Sequence, residues 1–170
     1  MIQEKVINAT SSGAEAREIL IGVIPDVIRT RLWLGKDQFN VVATTKRMLF
    51  IPLQPLPGGY KTLERYVGRP TEEILAENKK SISIEKSEIK SVQYQEGHSY
   101  VDCCRKVQEL EGELEIHTSR GKYTFSIPFR RNITAKDVLE KAKLPSLEII
   151  KPNTESEASH SETGGSCCSH

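Results

Sequence analysis

Hydrophobic positions along this chain follow two periods, and the period changes at Pro25. In SSGAEAREIL, Ser12 stands three residues before Glu15, the spacing of a capping box. Ile19, Leu20, Val23 and Ile24 would form the apolar side of the helix that follows. The pattern predicts an N-terminal helical segment within residues 1–24, ended by Pro25. In VIRTRLWLG, Ile28, Thr30, Leu32 and Leu34 alternate with Val27, Arg29, Arg31 and Trp33, which is a strand pattern. GKDQ supplies a turn. NVVATT and KRMLFIPL, rich in β-branched and aromatic residues, predict two further strands or one long bent one.

The middle is less regular. PLQPLPGGY reads as a loop, and RPTEEILAENKK as a short helix with acids in its first turn and lysines at its end, as the helix dipole prefers. SISIEKSEIKSVQYQEG returns to strands, and SYVDCCRKVQ is read as another. In that strand Cys103 and Cys104 would project to opposite faces, one to the core and one to solvent. The clearest pattern follows. Leu114 and Ile116 oppose Glu113, Glu115 and His117, then Tyr123, Phe125 and Ile127 alternate with Thr124 and Ser126, with SRG between. That is an antiparallel hairpin with one wet face. NITAKDVLEKAK is an amphipathic helix with Thr134 as N-cap, Asp137 in the reciprocal position, an Ile133–Val138 staple and an apolar stripe of Val138, Leu139 and Ala142. Residues 151–170 are Ser/Glu-rich with almost nothing to bury, and a disordered tail ending in CCSH is expected. Such a tail reaches roughly 25 Å.

Composition adds little to this picture and charge slightly more. At 170 residues, with 37% hydrophobic and 28% charged residues, the chain is long enough for one real core. Net charge is +1, but residues 152–170 carry three acids and no lysine or arginine. Residues 1–151 therefore hold 24 basic against 20 acidic residues, an excess that suits weak attraction to an anionic surface. No apolar run reaches membrane-spanning length and the N-terminus lacks a signal-like stretch, so a cytoplasmic protein with reduced thiols is expected, with peripheral membrane association an option.

Strand-rich segments, a hairpin and one amphipathic helix form a β-rich α+β succession. It resembles the pleckstrin-homology-like superfamily, a partly open antiparallel β-barrel capped by a C-terminal helix. VVATTKRMLFIPL is similar to the second and third strands of GRAM and bacterial PH-like domains, where a Thr-x-x-Arg-hydrophobic phrase recurs. SISIEKSEIKSVQY resembles their next strand and corner, and GELEIHTSRGKYTFSIPF their last hairpin. The expected PH/GRAM-like domain spans residues 25–150, interrupted by an insertion at about 54–80, which is long for the family. The resemblance implies binding without catalysis and without a cofactor, at a membrane surface or on a protein partner, with oligomerisation an option. It points to Arg29, Arg31, Lys36, Lys46 and Arg47 as headgroup or partner contacts, although strand alternation alone also accounts for Arg29 and Arg31, and in the phrase that Lys46 and Arg47 match the arginine has an equal claim to a structural role.

Catalytic motifs are missing from the sequence. There is no GxSxG elbow, phosphate loop or GxGxxG; His98 and Ser99 are only neighbours, and Glu72–Glu73 read as helix-start charges. Arg130, Arg131 and Lys136 form the tightest basic group, but Tyr123 and Phe125 should point to the core, so no nucleic acid is expected. The four cysteines form two adjacent pairs. CCSH resembles the dicysteine ends of vesicle-traffic small GTPases, which makes Cys167 and Cys168 candidate lipidation sites, two chains holding where one is marginal. The alternative is a structural or oligomerising adaptor with metal-binding or redox-sensitive cysteines, drawn from Cys103, Cys104, Cys167, Cys168 and His170. Adjacent cysteines lack the usual two-to-four-residue ligand spacing, and an inert tail is the third reading.

Overall fold

The computed structural model describes residues 18–31, 35–53, 66–77 and 79–152. Eight strands form one sheet in the order β10-β5-β8-β9-β1-β2-β3-β4, and β6 and β7 pair separately. The first meander is β1 (Leu20–Arg31), β2 (Gly35–Thr44), β3 (Arg47–Pro52) and β4 (Ile82–Glu85), with α1 (Thr71–Glu77) between the last two. The second run is β5 (Ile89–Gln95), the small pair β6 (Ser99–Val101) and β7 (Val107–Glu109), then β8 (Gly112–Thr118) and β9 (Gly121–Ile127). Helix α2 (Asn132–Lys141) and β10 (Leu147–Ile150) complete it. All the ladders are antiparallel except β10 on β5. The chain is thus β-rich, and its large sheet is not closed into a barrel: β4 and β10 are its two edges.

The sheet nevertheless curls over one core. Phe50 on β3 stacks on Phe125 of β9, rings 4.2 Å apart and 8° from parallel, although β1 and β2 lie between those strands in the ladder. Val27, Val41, Met48, Tyr94, Ile116 and Ile127 fill the same interior, and Ala135, Val138, Leu139 and Ala142 of α2 cover it. A second apolar layer lies on the other face of β1–β3. There Val23, Val42, Leu49 and Ile51 pack against Tyr66 and Ile74 from the segment around α1. Burial on both faces explains why VVA and MLFI are continuous apolar runs rather than alternating ones. Residues 66–77 of the expected insertion are therefore a lid on the sheet; residues 54–65 lie outside the described residues.

Several expectations are corrected. Leu20–Ile24 are strand, not helix. A register shift between Leu20 and Gly22 puts Leu20 and Val23 in the same apolar layer, and this i, i+3 spacing imitates a helix. Ser12 and Glu15 lie outside the described residues. Pro25 does not end the element but sits in a second bulge, between Ile24 and Val27, where its missing N–H costs no ladder bond. Asp26 has φ 62° there, and its Oδ2 accepts from Arg131 Nη2 at 2.6 Å and Nε at 3.1 Å. Helix α2 begins at Asn132, two residues before the expected cap, and Ile133 is 87% exposed rather than stapled to Val138. The Asn132 side chain is drawn instead into contacts with β5 and the residues after it. The 112–127 hairpin and the Val138, Leu139 and Ala142 stripe stand as expected.

Candidate functional site: the β6–β7 hairpin

Between β5 and β8 the chain leaves the sheet. Gly97 and Gly112 mark the crossing, where the outgoing and returning backbones approach too closely for a side chain: a Cβ on Gly97 would lie 2.3 Å from Leu110 O and 2.6 Å from Gly112 N. Only glycine allows that approach. Asn132 ties this base to α2. Its Nδ2 donates to Gly97 O at 2.7 Å, and its Oδ1 accepts from Tyr94 Oη at 2.8 Å and Gly97 N at 3.3 Å. Burial, aided by the Glu96 charge, pushes the Tyr94 phenol above its usual range, so it stays a donor. Leu110 N donates to His98 O at 2.7 Å and closes the base.

Beyond the base, Ser99 pairs with Glu109, Tyr100 with Gln108 and Val101 with Val107. Asp102 builds the turn. Its Oδ1 accepts from the backbone amides of Cys104 and Lys106, and its Oδ2 from Gln108 Nε2, each at 2.9 Å. These bonds, Gln108 first, hold the Asp102 carboxyl below its ordinary range. Arg105 adopts φ 59° to complete the reversal. In consequence Cys103 and Cys104 lie in a turn, not a strand; both are exposed, with their Sγ atoms 4.0 Å apart. This corrects the expected split between core and solvent.

The tip carries an unusual surface. Val101 and Val107 form a cross-strand pair 64% and 67% exposed, beside exposed Arg105 and Lys106. A two-stranded ribbon of this size gains little stability by itself, and here its aliphatic pair faces outward. The sequence contained the signals, a glycine on each side and an Asp at the turn, but VDCC reads equally well as a continuous strand.

The five basic residues suggested by resemblance fall into two groups at opposite ends of β2. Arg29 stacks its guanidinium 5.6 Å from the Tyr123 ring centre and pairs in register with Asp37. Arg31 faces Gly35 in the ladder, and Lys36 is exposed. Lys46 and Arg47 stand at the far end, roughly 30 Å along the strand from Lys36. Arg47 is an internal tie: Nε lies 3.1 Å from Glu18, and Nη2 and Nη1 each lie 3.4 Å from Glu72 and Glu85 respectively. Thr44 Oγ1 accepts from the amides of Lys46 and Arg47 and donates to Glu18 at 2.6 Å. Here the Thr-x-x-Arg phrase builds a turn and an ion-pair network. Arg130 and Arg131 converge on Asp26.

A shallow cleft of about 300 Å³ lies beside the hairpin base, lined by Glu96, Asn132, Ile133, Lys136, Asp137 and Glu140. Lys136 Nζ sits 3.0 Å from Glu96 Oε1, and that carboxylate holds the lysine above its usual range. Its lining has no thiol, hydroxyl or imidazole side chain, and its three carboxylates make it unwelcoming to phosphate. Among the described residues no three His, Cys, Asp or Glu side chains gather around one point, and no helix is long and apolar enough to cross a membrane. Cys167, Cys168 and His170 lie outside the described residues. Comparison with protein-family models and with curated proteins gives no match to this chain.

Proposed function

We propose that this chain is a non-catalytic, PH/GRAM-like binding module of the cytoplasm that docks on an anionic membrane surface through its β6–β7 hairpin. The observation that carries the reading is the outward Val101–Val107 pair next to Arg105 and Lys106. Apolar and cationic groups together at a projecting tip suit the boundary between acyl chains and anionic headgroups. The strand succession also supports it: a long bent β1 touching both β2 and β9, and a helix directly after the last hairpin. Against a plain family likeness stand the open sheet, β10 and the hairpin itself, which makes the hairpin the feature particular to this chain.

Magnitudes set the mode of action. Burying two valines from about two-thirds exposure is worth about 2–4 kcal/mol, and each cation near an anionic leaflet adds about 1 kcal/mol. That total gives weak, reversible binding. Stable residence calls for a second attachment, the part assigned to acyl or prenyl chains on Cys167 and Cys168. Co-sedimentation with phosphatidylserine-containing and pure phosphatidylcholine vesicles tests the reading. Binding is expected only to the anionic vesicles, lost in V101D/V107D and weakened and less salt-sensitive in R105E/K106E. Unchanged sedimentation of V101D/V107D would sink it and turn attention to a protein partner.

A further inference from the structure

We infer that β7 pairs antiparallel with β7 of a second copy of the chain about a two-fold axis at Gln108, joining the two hairpins into one sheet. The dimer does not depend on the membrane reading. Three observations carry it. The first is the free edge. Asp102 N donates to Lys106 O at 2.9 Å and Leu110 N to His98 O at 2.7 Å, with Tyr100 and Gln108 paired between them. Residues 106, 108 and 110 therefore direct their backbone groups at β6, and alternation along the strand turns those of Val107 and Glu109 outward. Among the described residues β6 is the one strand that β7 pairs with. An open edge of this kind is a template for a further strand. A two-fold axis at Gln108 sets Val107 opposite Glu109 of the second copy and Glu109 opposite its Val107, so each outward amide meets an outward carbonyl.

The second observation is the order of charges along the strand. Residues 105–111 read Arg-Lys-Val-Gln-Glu-Leu-Glu, cationic on one side of Gln108 and anionic on the other, and all are exposed. An antiparallel copy reverses that order. Arg105 then faces Glu111 of the second copy directly and its Glu109 on the diagonal, Lys106 lays its aliphatic stem on Leu110, and no like charges oppose one another. The same charges fix the register. Centred on Glu109, the ladder would set that carboxylate against its own copy; centred on Val107, it would leave Glu111 opposite Cys103. Strand β6, Ser-Tyr-Val, carries no charge to set such a register.

The third is the weakness of the ribbon on its own. Two strands with an exposed aliphatic pair fall short of independent stability, which takes three or more strands. Pairing supplies the missing strands and brings Val107 within diagonal reach of Val107 of the second copy. The symmetric contact closes at two chains. It also aims each tip at the foot of the other hairpin, so the dimer and the membrane-docked chain are alternative states of one hairpin; that competition alone rests on the docking reading.

Sedimentation velocity of the reduced full-length chain, from micromolar to millimolar concentration, tests the dimer. A monomer–dimer equilibrium is expected, and it should weaken as salt is raised. R105E/K106E and E109K/E111K should each raise the dissociation constant at least about tenfold. An equimolar mixture of the two variants should recover the dimer, because each tip then meets a foot of opposite charge. All four side chains are exposed, and unchanged far-UV circular dichroism would show that the variants remain folded. Excess phosphatidylserine vesicles should draw the parent chain off the dimer; a chain that dimerises but ignores vesicles upholds this inference and sinks the docking reading alone. Parent protein that stays monomeric throughout, assembly that grows beyond two chains, or a mixture that fails to re-form the dimer overturns the inference.

Discussion

Substituting Gly97 by alanine tests how the hairpin is mounted. The added methyl would stand 2.3 Å from Leu110 O, 2.6 Å from Gly112 N and 2.8 Å from Glu111 C. All three are backbone atoms, so no side-chain rotation relieves the contact. The returning strand must shift by most of an ångström, and that displaces the Leu110 N to His98 O bond of 2.7 Å. Overpacking of this kind costs about 1–3 kcal/mol, and the weakened bond about 1 kcal/mol more. The stiffer unfolded chain offsets a few tenths. A net loss of about 3 kcal/mol lowers the melting temperature of a chain this long by roughly 6–12 °C. Calorimetry or circular dichroism reads that shift directly. Gly68, where an added Cβ would meet nothing within 4 Å but φ is +80°, serves as the comparison; its alanine variant incurs only backbone strain, about 1 kcal/mol. A Gly97→Ala chain melting within about 2 °C of the parent would refute the crossing geometry.

Three further outcomes follow from the packing. Arg47→Met strands Glu18, whose side chain is only 9% exposed, and should cost about 2–3 kcal/mol in urea unfolding; Arg47→Lys should recover only part, since one ammonium cannot span three carboxylates. Ile133→Ser should change stability by less than about 0.5 kcal/mol because the side chain is almost wholly exposed at the rim of the cleft; a loss of about 1 kcal/mol would restore the staple. For Tyr94 the folded pKa is raised, so its stabilising contribution is complete below the ordinary value of 10.0 and is lost as pH climbs above it. Lys86, whose ammonium donates to Ala142 O and is lowered by burial, works in the opposite direction, with stability rising as pH approaches 10.5. Tyr94→Phe should therefore remove the loss of stability above pH 10 while leaving the Lys86 rise; identical alkaline limbs in the two proteins would contradict this.

The sequence made some of this legible because periodicity survives where one face is wet. The 112–127 hairpin and the Val138, Leu139 and Ala142 stripe could be read directly. Where both faces are covered the pattern disappears: Leu20–Ile24 imitated a helix because a bulge and a second apolar layer replaced alternation with i, i+3 spacing. The lid role of Tyr66 and Ile74 depends on a partner far along the chain, so no local signal announces it. For Arg47 the Thr-x-x-Arg phrase left a contact and a structural role equally open, because it says nothing of Glu18, Glu72 and Glu85 converging on it. The hairpin was half visible. Gly97, Gly112 and Asp102 were present, but only their convergence in space shows that the first two are a crossing and the third a turn that brings both thiols to the same side.

Hydrogen exchange of the full-length chain, with and without phosphatidylserine vesicles, tests the docking claim most directly. The account predicts slowed exchange confined to residues 99–109, with the amides of β1–β3 and β8–β9 unchanged. Protection centred on the Arg29–Lys36 end of the sheet, with the hairpin exchanging as fast as in free protein, would contradict it.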